Sequence, residues 1–292
     1  MRTLADFAAY RPATISRIAQ ALAADSSSYL LKGPRGSGAD ELLGAIAQTL
    51  VGDCGGCGEC ASCRAVADGE HPDVLLAQGE QHKPVAVEEL RRIVRFASLA
   101  PTQARYRVVV IPDIDTLRLT FPVILKALEE PPTATKWLLS AALIGSELAP
   151  VASRCLTIEL EAPSDVEIEH RFREHKLEPS ALLIKWTRHR LDRVELFARL
   201  TDPERYLSTY ADLPSLIRED ARWCMELAHR LMPEELGSAG ESEEIIQCGL
   251  EVLVAAHTDD GDWLRRATRA SASLNRHLPL QLVLAELILR SG

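Results

Sequence analysis

The spacing of apolar residues changes character about halfway along the chain. Up to residue 160, short β-branched or leucine-rich runs alternate with longer stretches of helical period. Residues 28–31, 73–76, 107–111, 137–142 and 156–160 read as strands. Residues 40–50, 87–99 and 119–128 read as helices, the last stopped by Pro131-Pro132. Such alternation predicts a parallel sheet with helices on both faces. Beyond Pro163 the strand signals cease. Helical periods cover 164–175, 179–199, 213–232, 241–257, 261–275 and 279–290, broken by prolines, by Gly237 and Gly240, and by Asp259-Asp260-Gly261. Leu280, Val283, Leu284, Leu287 and Ile288 fit the buried face of the last helix. The expected fold class is α/β plus all-α, with domains at 1–162, 163–205 and 206–292.

Composition narrows the function classes. Apolar residues make up 47% of the 292, enough for sizeable cores. With 33 basic and 42 acidic residues the net charge is −9, which disfavours a nucleic-acid binder working by bulk charge and leaves only local basic stripes. No apolar run approaches a membrane span and no leader-like segment opens the chain, so a cytoplasmic protein with no membrane partner is expected. Of the seven cysteines, Cys155, Cys224 and Cys248 are scattered, as buried thiols usually are.

Lys32-Gly33-Pro34-Arg35-Gly36-Ser37-Gly38-Ala39-Asp40 follows a predicted strand and opens a predicted helix. Gly33, Gly36 and Gly38 suit a turn that brings backbone close to a phosphate. A working loop would continue with a lysine for the β/γ-phosphates and a hydroxyl residue for Mg²⁺. Ala39 and Asp40 stand there instead, deleting a cation and adding a carboxylate that repels phosphate. No ATP is expected at this site; the ordinary alternative is a Gly-rich strand-to-helix turn that never held nucleotide.

Cys54, Cys57, Cys60 and Cys63 offer four soft ligands at two-residue spacing, which suits tetrahedral Zn²⁺ with no position open for catalysis. Gly55, Gly56 and Gly58 supply the backbone freedom to wrap an ion. The short gap between the two pairs leaves the identity of the fourth ligand open. Free thiols and an iron–sulfur cluster are the rivals, although ferredoxin-type runs continue with a longer step and a proline, where Arg64 and Ala65 follow here.

Three further segments carry a family resemblance. The run from Cys57 to Arg64, followed by Gly69-Glu70-His71-Pro72-Asp73, resembles the zinc module and next strand of bacterial clamp-loader subunits. Lys126-Ala127-Leu128-Glu129-Glu130-Pro131-Pro132 is similar to a helix end that those subunits share, and Ser153-Arg154-Cys155 to their Ser-Arg-Cys signature. The family is the AAA+ clamp loader of replicative DNA polymerase III. Within it, a spoiled phosphate loop beside a zinc module resembles the delta-prime branch.

The resemblance implies a RecA-like parallel-sheet core with a zinc module inserted at about 51–66, a small helical lid and a helical C-terminal collar. It implies that Pro112 replaces a Mg²⁺-binding aspartate at the strand end, with Asp113 where ATPases carry a glutamate. Asp113 and Asp115 otherwise read as a turn and helix cap. Ser140 stands where a polar residue senses γ-phosphate. Arg154, with Ser153 as motif partner, is implied as a finger reaching a neighbour's ATP; its ordinary alternative is capping the preceding turn or pairing with Glu147. Arg91, Arg92 and Arg95 lie on a helix that lines the DNA chamber in the family, although Glu88 and Glu89 could pair with them locally. The basic run from Lys185 to Arg193 lacks the lid sensor of ATP-binding relatives and reads as a solvated face.

The implied function is a non-hydrolysing stator, with structural Zn²⁺. Implied partners are γ/τ-type and delta-type subunits, primer–template DNA through the assembly, and indirectly the sliding clamp. The alternatives are an ATP-hydrolysing γ/τ-type subunit with a divergent loop, and an iron–sulfur redox protein.

Overall fold

A computed structural model describes residues 2–77, 87–116, 121–132, 134–216, 227, 231, 239–258, 260–274, 283, 284 and 287. They fall into two compact units, Met1–Ser164 and Asp165–Gly292.

The first unit is built on five parallel strands: β1 (Ser28–Lys32), β2 (Val74–Leu76), β3 (Arg107–Ile111), β4 (Thr135–Ala141) and β5 (Leu156–Glu159), in the order β2-β3-β4-β1-β5. Side chains alternate across the sheet. Tyr29, Leu31, Val108, Val110, Leu138 and Ile158 join one apolar cluster; Leu30, Val109, Ile111, Trp137 and Leu139 join the other. Helices α1 (Leu4–Ala8), α2 (Pro12–Ala23), α3 (Ala39–Val51) and α4 (Ala61–Ala67) cover the first face. Helices α5 (Val87–Ala97), α6 (Phe121–Glu129) and α7 (Ala149–Ala152) cover the second. Burial on both faces explains why β3 and β4 read as continuous apolar runs rather than alternating ones. The predicted α/β core is therefore the one observed.

The His71-Pro72-Asp73 segment has a structural role here. Asp73 is fully buried just ahead of β2. Its carboxylate accepts the N–H groups of Thr102 (2.8 Å), Gln103 (2.6 Å) and Ala104 (2.8 Å) and the Thr102 hydroxyl (2.9 Å), tying down the turn that leads into β3. Burial by itself raises its pKa, and these donors more than reverse that, bringing it to about 2.

The second unit contains α8 (Asp165–Glu174), α9 (Ala181–Thr187), α10 (Leu191–Arg199), α11 (Pro203–Ala211), α12 (Leu213–Leu216), α13 (Ala239–Ala256) and α14 (Gly261–Leu274). One apolar cluster joins residues from Ile168 to Leu287, including Val283 and Leu284. Leu280, Ile288, Cys224 and most of the 279–290 helix lie outside the described residues.

The single helix expected over 179–199 is two. Arg188 and His189 both adopt left-handed backbone (φ 51° and 57°) and break it between α9 and α10. Past the break, the C-terminal part of the basic run faces α13. Arg193, with its side chain 3% exposed, donates to Glu251 (2.8 and 3.2 Å), to Glu244 (2.9 Å) and to the Trp186 carbonyl. Arg188 also pairs with Glu251, and Arg190 with Glu244 and Asp192. The solvated basic face expected for 185–193 is present at Lys185, Arg188 and His189, which are exposed, whereas Arg190 and Arg193 enter a partly buried ion cluster that holds α10 against α13.

Candidate functional site

The phosphate-type loop sits at the C-terminal end of β1 and runs into α3. Its glycines are required by backbone conformation at Gly36 and Gly38 and by packing at Gly33. Gly36 and Gly38 adopt left-handed backbone, and Gly38 caps α3. A Cβ on Gly33 would fall 2.6 Å from the Cβ of Leu160, so only glycine lets the loop lie against the chain leaving β5. Arg11, buried at the start of α2, donates to the Ser37 carbonyl and braces the loop from behind. The sequence reading did not single out Arg11, and nothing in its local pattern marks it.

Beside the loop, the ends of β3 and β4 contact the start of α3. The Asp113 N–H donates to Ser140 Oγ (2.9 Å), and the Ser140 hydroxyl donates to Asp40 Oδ1 (3.2 Å). Ser140 is buried at the end of β4, Asp40 lies in the first turn of α3, and Asp113 follows Pro112 with φ 46°. The Asp40 carboxylate therefore stands at a helix N-terminus, where the dipole favours a negative charge. The Ser140 hydroxyl holds it there from the end of β4. Asp113 forms the expected turn, followed by a short 3₁₀ segment, Ile114–Thr116.

Arg154 lies at the opposite end of the sheet. Leu156 is in register with Tyr29, four residues before Gly33. At about 3.3 Å per residue, the arginine is displaced by more than about 13 Å from its own chain's loop. Its Nη1 donates to the Pro150 carbonyl (2.7 Å) and to Ser153 Oγ (3.3 Å), while Nη2 pairs with Glu129. The turn-capping expected of an ordinary arginine is present, but the carboxylate partner is Glu129, not Glu147. Glu129 was visible in the shared helix-end motif; its partnership with a residue 25 positions on left no mark in local spacing. Cys155 packs against the apolar cluster under α6 and α7, and burial pushes its thiol up to about 12, so it acts as a hydrophobic anchor.

The four clustered cysteines converge. Their Sγ atoms all lie within 4.8 Å of one another, with Cys54 at 3.4 Å from Cys60 and 3.5 Å from Cys63. Tetrahedral thiolates at the Zn–S length of about 2.3 Å stand about 3.8 Å apart, so the donor set fits that ion, and Cys54 belongs to it. Gly55, Gly56 and Gly58 all take left-handed backbone to make the wrap (φ 70°, 86° and 79°). Backbone N–H groups of Cys57, Cys60 and Cys63 each point at the preceding cysteine's sulfur at 3.4 Å. The bond from Cys57 N–H leads in lowering Cys54 to about 6, whereas burial pushes Cys63 up to about 12. Gln48, fully buried on α3, donates to the Cys63 carbonyl (3.2 Å) and docks the knuckle on that helix.

The α5 arginines lie on the exposed side of their helix, away from buried Leu90, Ile93 and Ala97. Arg92 is held by Glu89 through two bonds (2.6 and 2.9 Å), and Arg91 pairs loosely with Glu88 (3.8 Å); Arg95 stands in the last turn. No helix among the described residues is long and apolar enough to cross a membrane.

The family of the DNA polymerase III delta subunit matches residues 10–164, more than half of the chain. DNA polymerase III subunit delta' of Yersinia pestis is 32% identical over 174 residues, covering 53% of this chain and 49% of that protein. DNA polymerase III subunit tau of Escherichia coli is 31% identical over 155 residues, covering 51% of this chain and 24% of that protein. The chain thus spans between about a quarter and a half of the length of the curated relatives it matches. In fold it is similar to a DNA polymerase III, gamma subunit-related protein of Thermotoga maritima, with TM-score 0.54, 15% identity and coverage of 90% of this chain and 93% of that one.

Proposed function

Because the chain belongs to the DNA polymerase III delta subunit family, we propose that it is a non-hydrolysing, delta-prime-like subunit of the clamp loader that lends Arg154 to the ATP site of a neighbouring subunit. The observation that carries this reading is the separation of an intact arginine from a spoiled loop. Asp40 fills its own site with negative charge, while Arg154 lies at the far end of the sheet and cannot reach that site. Besides its local bonds, a guanidinium so placed is available to a phosphate brought by another chain, where it would stabilise charge developing in phosphoryl transfer.

The partners are a γ/τ-type ATPase and a delta-type subunit. The assembly acts in the cytoplasm, opening a sliding clamp and placing it on primer–template DNA. Arg91 and Arg95, with Arg92 restrained by Glu89, are the candidates for sequence-independent phosphate contacts. Cys54, Cys57, Cys60 and Cys63 would hold a structural Zn²⁺, whose contribution is to pin the knuckle to α3. The names of several relatives favour a γ/τ-type ATPase as a second reading; Ala39 and Asp40 weigh against it.

The test is nucleotide binding and hydrolysis, first by the isolated chain and then by the chain reconstituted with its ATPase partner. The isolated chain is expected to neither bind nor turn over Mg–ATP. Arg154→Ala is expected to assemble normally and lower DNA-stimulated turnover of the complex by at least about a hundredfold. Turnover by the isolated chain, or full turnover with the variant, would reject the reading.

A further inference from the structure

We infer that Glu129 is a positioning residue for Arg154, holding the guanidinium ready for the neighbour's phosphate. The inference rests on the finger reading above and deepens it. Glu129 ends α6 and Arg154 follows α7, and both helices are seated in one apolar cluster through Ile124, Leu128, Leu148 and Val151. The backbone anchors of the pair are therefore fixed by the core, and Cys155 packs against the same cluster immediately after Arg154.

Within that frame the guanidinium is gripped from two directions. Nη1 bonds the Pro150 carbonyl and Ser153 Oγ, and Nη2 bonds Glu129. Both terminal nitrogens are thus oriented, while the side chain keeps 32% of its surface exposed. A guanidinium carries five N–H donors, so these bonds leave donors over for an incoming phosphate oxygen.

A role in stability is a poor explanation for the pair. Ion pairs this exposed contribute little to folding. What the contact does supply is order in a long side chain with many rotamers. Ordering it beforehand removes that loss from the step in which the guanidinium engages the phosphoryl group being transferred. The Ser153 hydroxyl serves both ends of this arrangement, bonding Arg154 and the Pro150 carbonyl (3.0 Å).

The experiment uses the complex reconstituted with its ATPase partner, with Mg–ATP as the probe. Glu129→Ala, Glu129→Gln, Arg154→Ala and the Glu129→Ala/Arg154→Ala double variant are compared for kcat, KM for ATP and melting temperature. Glu129→Ala is expected to lower kcat about five- to tenfold with KM nearly unchanged, the size of one unordered long side chain. Glu129→Gln, which keeps an acceptor at the same place, should recover part of the loss. The double variant should be no slower than Arg154→Ala alone, because Glu129 acts only through the arginine. Melting temperatures should stay level throughout.

Normal or raised kcat in Glu129→Ala, beside an inactive Arg154→Ala complex, would overturn the positioning role and leave the finger standing. Losses that multiply in the double variant would overturn it too. Full activity in Arg154→Ala would remove the finger, and this inference with it.

Discussion

A carboxylate with no access to water stays ionised only if donors replace the hydration it gives up. Asp73 has four such donors from the 102–104 turn, and their combined pull outweighs burial. Its folded pKa of about 2 lies below the ordinary carboxylate value, so its stabilisation is present above about pH 4 and fades as the pH falls toward 2. Asp73→Asn should therefore cost about 2 kcal/mol at neutral pH, seen as a lower urea midpoint, and should flatten the loss of stability between about pH 4 and pH 2. An unchanged midpoint with an unchanged acid limb would mean that the turn is held by something else. The residues were readable as a motif, His71-Pro72-Asp73, but their purpose was not. The partners of Asp73 lie about thirty positions downstream, and neither spacing nor propensity connects the two. The same gap hides Arg154 from Glu129, whereas Cys54 to Cys63 announce one another because their ligands are neighbours in sequence.

Helices and strands divide along a similar line. The central strands β1, β3 and β4 and the long helices α3, α5, α6 and α8 follow directly from apolar period, because each buries apolar side chains against the sheet or the helical core, whereas the edge strands β2 and β5 bury little. Helices α1 and α7, at five and four residues, are too short to show a period, and tertiary contacts make them. The break at Arg188-His189 was illegible for a different reason. Nothing local demands left-handed backbone there; the acidic face of α13 does, by drawing in Arg188, Arg190 and Arg193. The cysteine knuckle depends on an element in the opposite sense, since it grips the end of α3 through Gln48 and rests on Thr49 beside Gly56. Metal analysis should find one zinc and no iron per chain. Chelation, or Cys60→Ser at the start of α4, should lower the melting temperature by about 5 °C, as expected for roughly 2 kcal/mol in a unit of this length. Iron with visible absorbance, or a melting point indifferent to chelator, would defeat the structural-zinc assignment.

On the proposed reading, the first unit is a nucleotide-binding core whose site is closed from within. Three features would close it: Ala39 brings no cation, Asp40 brings a carboxylate, and Pro112 stands at the strand end where the family resemblance implies a metal ligand. The first two act through charge. At an effective dielectric of about 20, each unit charge about 4 Å from a phosphate changes the interaction by about 4 kcal/mol before screening, so reversing both is a large effect. The third acts through geometry, because proline offers no carboxylate and the next residue, Asp113, has its N–H committed to Ser140. The two kinds of lesion are separable by experiment. Ala39→Lys combined with Asp40→Thr restores cation and hydroxyl, and it frees the Ser140 hydroxyl from Asp40. The double variant should gain measurable Mg–ATP binding by calorimetric titration, yet still fail to hydrolyse it, because nothing at residue 112 can hold the metal or help orient water. Hydrolysis by that variant would show that the strand end was never a lesion. Absence of binding would show that the packing of Gly33 on Leu160, and not charge, is what closes the loop.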